Sequence, residues 1–333
     1  MDKMNITSLL KLIKSAKKIA IVPHTNPDAD AIGSSLGLYW ILKALKKDDV
    51  RLVLEDKQPF DFEFLQGLDK FERSEDLNAD LTEPDLIFFL DGNTSKRFTA
   101  GELDLDSKKK IVRIDHHASE TDIESDVSFV EQETASSSEI VFRIFEGEVD
   151  IDSNTAKCLL MGIYDDTNSF SVENTSKSTF EIVAKLVEKG AKVMEIAEAI
   201  NTYDETILNG TKAFVNNLKF DDKHKYAYTY ISRDLYEMLE LDGAKIDVIF
   251  NLILNILLGR KGYDWGFVVR PRSGGTTKVS FRARSTGANV RKIAETMGGG
   301  GHDQAAGLTM PTEDPYEALA EVRKQIEEVS QAT

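Results

Sequence analysis

Four short, almost unbroken apolar runs fall within the first 114 residues: 18–23 (KIAIVP), 51–54 (RLVL), 86–90 (LIFFL) and 110–114 (KIVRI). Between and after them, apolar residues recur at helical spacing over 31–47, 136–145 and 153–164. Unbroken apolar runs of this length are the mark of strands buried on both faces. Strand and helix signals alternate, which predicts an α/β class fold: an open, mostly parallel sheet with helices on both faces. In such sheets ligands sit in the loops beyond the carboxyl ends of the strands.

A chain of 333 residues has room for two domains of ordinary size. The helical pattern over 180–188 closes the first. Residues 194–214 hold a connector and the first helix of the second. The expected division is 1–190 for the first domain, 191–209 for a helical connector and 210–333 for the second domain. The second domain has strand signals at 226–231, 265–270 and 277–282, a packed helix at 247–258 and an amphipathic helix at 315–329, which predicts a smaller mixed α+β domain.

Charge narrows the function classes. Lys plus Arg number 41 against 57 Asp plus Glu, a formal charge of -16. A surface that grips long duplex nucleic acid is disfavoured, while a local basic pocket for a small anion is not. The single cysteine, Cys158, excludes an intrachain disulfide and a cysteine-based metal knuckle, and suits the cytoplasm. No opening stretch reads as a signal peptide, and the most apolar segment, 248–258, is too short to span a bilayer, so no membrane partner is expected.

The chemistry concentrates at strand ends. His24, Asp28 and Asp30 follow the first run, Asp91 the third, and Asp115, His116 and His117 the fourth; Asp165 and Asp166 end a predicted helix. One His after a strand is ordinarily a core or capping residue, and one Asp ordinarily caps the next helix. Many carboxylates gathered with imidazoles at neighbouring strand ends would repel one another without a cation. Nitrogen and oxygen donors without thiolate suit Mn2+, Mg2+, Fe2+ or Zn2+ in a catalytic setting. His24, Asp28, Asp30, Asp91, His116 and Asp166 exceed what one ion needs. Two ions about 3.5–4 Å apart could clamp a phosphoryl group, with Asp91 as the natural bridge because it lies between the two His-bearing strands in sequence.

The segments HTNPDADAIGSSLG, DGN, IDHHA, GIYDDTNSF and GGGGHDQAAG, in that order, resemble the signature of the DHH/DHHA1 phosphoesterases, and the two-domain arrangement is similar to the nanoRNase and pAp-phosphatase group. The match runs from about residue 19 to 308. Ala29 and Asn168 stand where the family commonly has Gly, and Asp165 is an additional acid beside Asp166. The resemblance implies a DHH domain, then a DHHA1 domain, with a catalytic cleft between them. It implies His24, Asp28 and Asp91 around one ion and Asp30, Asp91, His116 and Asp166 around the other, with Mn2+ favoured. Asp115 would orient a neighbouring His, and His117 would face the substrate phosphate and help protonate the leaving oxygen. Arg97 could reach a phosphate. In the second domain Arg284, Ser285, Gly300, Gly301 and His302 would grip the nucleotide, with Arg282 alternating onto the same strand face as Arg284. Consecutive glycines at 298–301 predict a loop whose N–H groups point inward to an anion, followed by a small-residue helix start.

The expected activity is hydrolysis of short oligoribonucleotides or linear dinucleotides to 5′-mononucleotides, with pAp dephosphorylation as a companion; a cyclic dinucleotide phosphodiesterase is the first alternative. The group commonly forms homodimers. Two other classes compete. A nucleotide-binding regulator with an idle metal centre should lack a ligand, and every ligand position here is chemically competent. An inorganic pyrophosphatase shares the His/Asp constellation but not the Gly-Gly-Gly-His segment.

Overall fold

The computed structural model describes residues 3–55, 64–117, 120–241, 243–272 and 274–331. Ala118, the last residue of the IDHHA segment, lies outside them. Two compact units result, Met1–Thr202 and Tyr203–Thr333.

The first unit opens with helix α1 (Lys3–Ser15), then β1 (Lys18–Pro23), α2 (Ala29–Ala44), β2 (Asp49–Leu54), β3 (Phe71–Arg73), the four-residue α3 (Leu77–Asp80), β4 (Leu86–Leu90), β5 (Lys110–Asp115) and β6 (Val127–Val130). Helices α4 (Ser137–Phe145), α5 (Ser153–Asp166), α6 (Lys177–Glu188) and α7 (Val193–Ile200) follow. All strands are parallel, in the order β3-β2-β1-β4-β5-β6. The chain reverses its direction of sheet growth between β1 and β4, so the carboxyl ends of β1, β4 and β5 lie side by side at the switch point where doubly wound sheets bind ligands.

Strand residues such as Ile19, Ile21, Phe88 and Ile114 bury against α1, α2, α4, α5 and α6 in the larger core. The opposite face, with Ala20, Val22, Val53, Ile87 and Phe89, is closed by Leu77 and Leu81 around α3 and by Phe98 and Ile123. The expectation of helices on both faces therefore holds fully on one face alone. Large apolar residues from loops cover the other, which satisfies the same need for burial without regular helices.

The expected connector is divided between the units. Ile196 of α7 is buried in the first core, whereas α8 (Glu205–Asn216) opens the second unit and contributes Ala213 and Phe214 to its core. After α8 come β7 (Lys219–Asp221), β8 (Tyr226–Tyr230), α9 (Arg233–Met238), α10 (Gly243–Leu257), β9 (Trp265–Arg272), β10 (Thr276–Ala283), α11 (Val290–Glu295), β11 (Gly300–Gly301), β12 (Ala305–Met310) and α12 (Pro315–Gln331). The sheet order is β11-β12-β10-β9-β8-β7, antiparallel except for the β8–β9 pair that α10 connects. One face packs on α11 and α12 through Phe267, Phe281, Leu308 and Val322, the other on α8 and α10 through Val268, Ile249 and Ile253. The small-residue stretch after His302 is thus a strand rather than a helix start. Ala306 and Leu308 alternate into the core, and that two-residue period overrides the helix propensity of alanine.

In the first unit α2 and α5 approach closely because glycines face the contact. A Cβ at Gly33 would collide with the Cys158 carbonyl, and one at Gly37 with Leu159. Gly33→Ala should gain roughly 1 kcal/mol of helix propensity and lose about 1–3 kcal/mol to overpacking against backbone. A lowered denaturation midpoint is therefore expected in urea; an unchanged or raised midpoint would contradict the packing argument.

Candidate metal centre

Burial builds the site before any ion is considered. Asp91 follows β4 with φ +60°, a left-handed conformation for a residue with a side chain, and its carboxylate is buried. Its Oδ2 lies 3.4 Å from His24 Nε2 and its Oδ1 3.4 Å from His116 Nε2. The one carboxylate thus presents an oxygen to each of two imidazoles, from the loops after β1 and β5. His24 Nε2 is also 3.5 Å from Asp28 Oδ2, and His116 Nε2 is 3.0 Å from Asp166 Oδ2. Ligand atoms of His24, Asp28 and Asp91 lie within 4.8 Å of one another, as do those of Asp30, His116 and Asp166, and those of Asp91, His116 and His117.

Two observations test whether this donor set fits metal. The His24 Nδ1–H donates to the Thr25 carbonyl at 2.7 Å, so whenever the ring is neutral its lone pair sits on Nε2. That Nε2 is buried and has no hydrogen-bond partner, and Asp166 Oδ2 is orphaned in the same way. Buried polar atoms without partners are costly, and here they converge with further carboxylates. The set fits divalent cations.

The scaffold pays for this gathering with the amino end of α4. Ser137 and Ser138 N–H donate to the two oxygens of fully buried Asp30, at 2.7 and 3.0 Å, and the Ser137 hydroxyl donates to Asp91 Oδ1 at 2.9 Å. The helix dipole adds favourable potential for both acids. Ser136 caps α4 by accepting from Glu139 N–H. The sequence reading missed these serines, although Ser136-x-x-Glu139 has the spacing of a capping box. Gly162 on α5 completes the cradle, since a Cβ there would collide with both Ser138 Oγ and Asp30 Oδ1.

Just past the carboxyl end of α5, Asn168, Ser169 and Phe170 take φ of +44°, +59° and +66°, three consecutive left-handed residues directly after Asp166 and Thr167. Left-handed backbone costs roughly 1–2 kcal/mol per residue with a Cβ. The buried Thr167 hydroxyl holds the turn, donating to Ile163 O at 2.6 Å and accepting from Phe170 N–H at 3.0 Å. Phe170 then packs edge-on against Tyr164. Asp28 is the N-cap of α2 and accepts from Ala31 N–H at 2.9 Å, so its capping and site positions coincide.

Asp115 is buried and accepts from His117 N–H at 3.1 Å and His117 Nδ1–H at 2.7 Å, with Arg113 Nη2 3.5 Å away. The neighbouring His that it orients is His117, whose ring is partly exposed and leans on His116 at 4.5 Å between centroids. Arg97 is exposed, but its carbonyl accepts from Thr25 N–H at 2.6 Å and Thr25 Oγ1 at 3.0 Å, which pins its turn against the His24 loop.

In the second unit, Arg282 stacks on Phe250 at 4.9 Å and Arg284 donates to the Leu258 carbonyl at 2.9 Å, so both reach toward α10. Ser285 follows Arg284 beyond β10. Gly300 and Gly301 pair with Gly307 and Ala306 as the edge strand β11, and His302 N–H donates to Ala305 O at 2.8 Å. Gly298 and Gly299 N–H donate to Glu295 and Ala294 carbonyls. The expected inward-facing loop of free N–H groups is therefore not formed: α11 and the β11–β12 hairpin consume several of those donors. The His302 side chain remains exposed.

Comparison with known proteins now bears on these two units. The N-terminal domain of the DHH family matches residues 18–163, and the DHHA1 domain matches 225–329. The chain belongs to the DHH/DHHA1 phosphoesterases. A bifunctional oligoribonuclease and PAP phosphatase NrnA of Mycoplasma genitalium is 29% identical, covering 92% of this chain and 93% of that protein. A cyclic-di-AMP phosphodiesterase, GdpP, of Geobacillus thermodenitrificans is 28% identical over 96% of this chain but 48% of its own length. A crystal structure of an exopolyphosphatase-related protein from Bacteroides fragilis superposes with a TM-score of 0.81 at 25% identity, covering 98% of this chain and 95% of the other.

Electrostatics in this DHH unit set the protons. Burial opposes charge on His24, but Asp28 and Asp91 outweigh it and raise the pKa to about 10; for His116, Asp166 and Asp91 do the same and raise it to about 12. Burial and Asp91 push Asp30 up to about 7, and burial and Asp30 hold Asp166 well above the usual carboxylate range. Asp91 moves the other way, because His116 and His24 overcome its burial. The metal-free imidazoles are thus charged at pH 7, and their contribution to stability is present below about pH 6.5 and lost as pH rises through about 10 for His24 and about 12 for His116. Ligation needs neutral imidazole, so divalent metal should release protons on binding and bind more tightly as pH rises. Calorimetry in two buffers of different ionisation enthalpy should show release of at least about one proton per chain; none would refute the arrangement. Thr167→Val should weaken metal binding about tenfold through the position of Asp166, with Thr167→Ser restoring it; equal affinities in all three proteins would leave the strained turn without this role.

Proposed function

We propose that this DHH/DHHA1 chain hydrolyses short oligoribonucleotides or linear dinucleotides to 5′-mononucleotides and also dephosphorylates pAp to AMP. The observation that carries the reading is the buried Asp91 carboxylate, with one oxygen 3.4 Å from His24 Nε2 and the other 3.4 Å from His116 Nε2. A side chain so placed is suited to bridge two divalent ions. His24, Asp28 and Asp91 would hold one, and Asp30, Asp91, His116 and Asp166 the other. Such a pair supplies an activated water and charge neutralisation at phosphorus. Mn2+ is the proposed ion on the family resemblance, since nitrogen and oxygen donors suit Mn2+, Mg2+, Fe2+ and Zn2+ alike and affinity order alone does not select it.

The remaining residues take roles from their contacts. Asp115 fixes the His117 ring through Nδ1, leaving Nε2 to exchange a proton with the leaving ribose oxygen. Arg97, pinned by its carbonyl beside the His24 loop, offers its guanidinium to a phosphate. Arg282, Arg284, Ser285, Gly300, Gly301 and His302 form the proposed nucleotide contacts of the DHHA1 unit. The NrnA relative, matched along nearly its whole length, supports the nanoRNase and pAp activities. The reading includes a cytoplasmic homodimer that does not take long duplex nucleic acid. Among the described residues no helix is long and apolar enough to cross a membrane.

Cyclic dinucleotide hydrolysis is the second reading, favoured by the likeness to GdpP across 96% of this chain. A time-resolved product assay with Mn2+ on pAp, a linear dinucleotide, a five-residue RNA and cyclic di-AMP decides between them. Mononucleotides from the linear substrates and AMP from pAp are expected to appear first; turnover of cyclic di-AMP alone would replace the first reading with the second. Asp91→Asn should cut turnover at least ~10³-fold, about 4 kcal/mol of barrier. Near-normal turnover by that variant would sink the assignment.

A further inference from the structure

The segment after β4 is fastened from three sides. Its 3-10 turn, Ser95–Arg97, is held by carboxylates from two other loops. Asp122, in the loop between β5 and β6, accepts from Ser95 N–H at 2.7 Å and from the Ser95 hydroxyl at 2.6 Å. Glu55, directly after β2, accepts from the Thr99 hydroxyl at 2.6 Å and from Ala100 N–H at 2.8 Å. The Arg97 carbonyl takes both Thr25 donors of the loop after β1. Phe98 is buried and packs on Phe89, with ring centroids 4.7 Å apart. Loops after β1, β2 and β5 thus converge on one short stretch of chain.

What this fastening aims is Arg97. A Cβ at Gly92 would come within 3.3 Å of Arg97 Cβ, so the arginine leaves the backbone beside the residue that follows Asp91. Lys96 is exposed as well, but it has no such root against the centre. Among the described residues no hydrogen bond or ion pair engages the Arg97 guanidinium, although two carboxylates are held to its own segment. Asp122 and Glu55 direct their oxygens to N–H and hydroxyl donors instead, and the Ser95 donors hold the Asp122 carboxyl below its usual range. Surface connections ordinarily stay mobile. Fixing one in advance removes an ordering cost that a ligand would otherwise meet. The side chain left unpaired by that fixing is the one whose planar fork matches phosphate.

We propose that Asp122 and Glu55 are positioning residues that fix Arg97 in advance against a phosphate held at the metal centre. The inference rests on the nucleotide-hydrolysis reading, in which Arg97 meets a phosphate, and adds what sets its position. Each carboxylate acts through the backbone of residues 95–100 rather than by touching the phosphate. Asp122 follows His117 in the same loop, so its bonds to Ser95 also tie the His117 loop to the Arg97 turn.

A double-mutant cycle tests it. Asp122→Ala and Glu55→Ala are each measured alone and in the Arg97→Met background, on pAp and a dinucleotide with Mn2+. With Arg97 present, each should lower kcat/KM at least about tenfold. In the Arg97→Met background each should change it by less than about twofold. A carboxylate that only stabilised the fold would lower both backgrounds equally. Asp122→Asn, which retains an acceptor for Ser95 N–H, should recover part of the loss. Losses that add across the two backgrounds, or no loss from either alanine variant, would overturn the proposal. The same cycle read by AMP binding to the Mn2+-loaded protein separates it from the hydrolysis reading. Coupling in that binding upholds the positioning role even if no substrate is turned over, whereas additive effects remove it even if the wild type is active.

Discussion

A single buried carboxylate organises the first unit. Asp91 sits at the switch point of the parallel sheet, in left-handed backbone, with an imidazole on either side. Around it stand Asp28, Asp30 and Asp166, too many negative groups for a dry interior to hold unaided. Desolvation and mutual repulsion already hold Asp30 and Asp166 toward their neutral forms, while the two imidazoles keep Asp91 ionised. The metal-free centre is therefore a partial compromise that protons maintain, and divalent cations are the species whose charge and coordination satisfy all of it at once.

Geometry that tolerates such a cluster must be stiff. The stiffness comes from close helix contact, with Gly33 and Gly37 letting α2 meet α5, and Gly162 leaving room for the Asp30 carboxylate and Ser138 hydroxyl together. The same contact carries the acids: Asp28 caps α2, Asp30 lies in its first turn and Asp166 ends α5. Any change in helix separation moves ligands on both sides of Asp91. Packing and chemistry are one constraint here.

Much of this was legible in the residues. The apolar runs gave the four central strands, and the order of His and Asp after them marked which loops would meet, because parallel strands place successive ends on one edge. The serine N-terminus of α4 was not read, since its contribution is backbone N–H, which no side-chain pattern displays. The β11–β12 hairpin was misread for a related reason. Ala and Gly carry little periodic signal, so Ala306 and Leu308 show their two-residue alternation clearly once paired with β10. Within the connector expected at 191–209, α7 and α8 look alike in sequence and differ in which core receives Ile196 and which receives Phe214.

The two units handle unbalanced charge in opposite ways. In the first, surplus carboxylates are buried beside helix N–H donors and imidazoles, and the remaining deficit is for cations. In the second, Lys278 and Arg282 share one face of β10, with an aromatic ring behind Arg282. A phosphorus under attack needs the positive charge that the first arrangement would recruit.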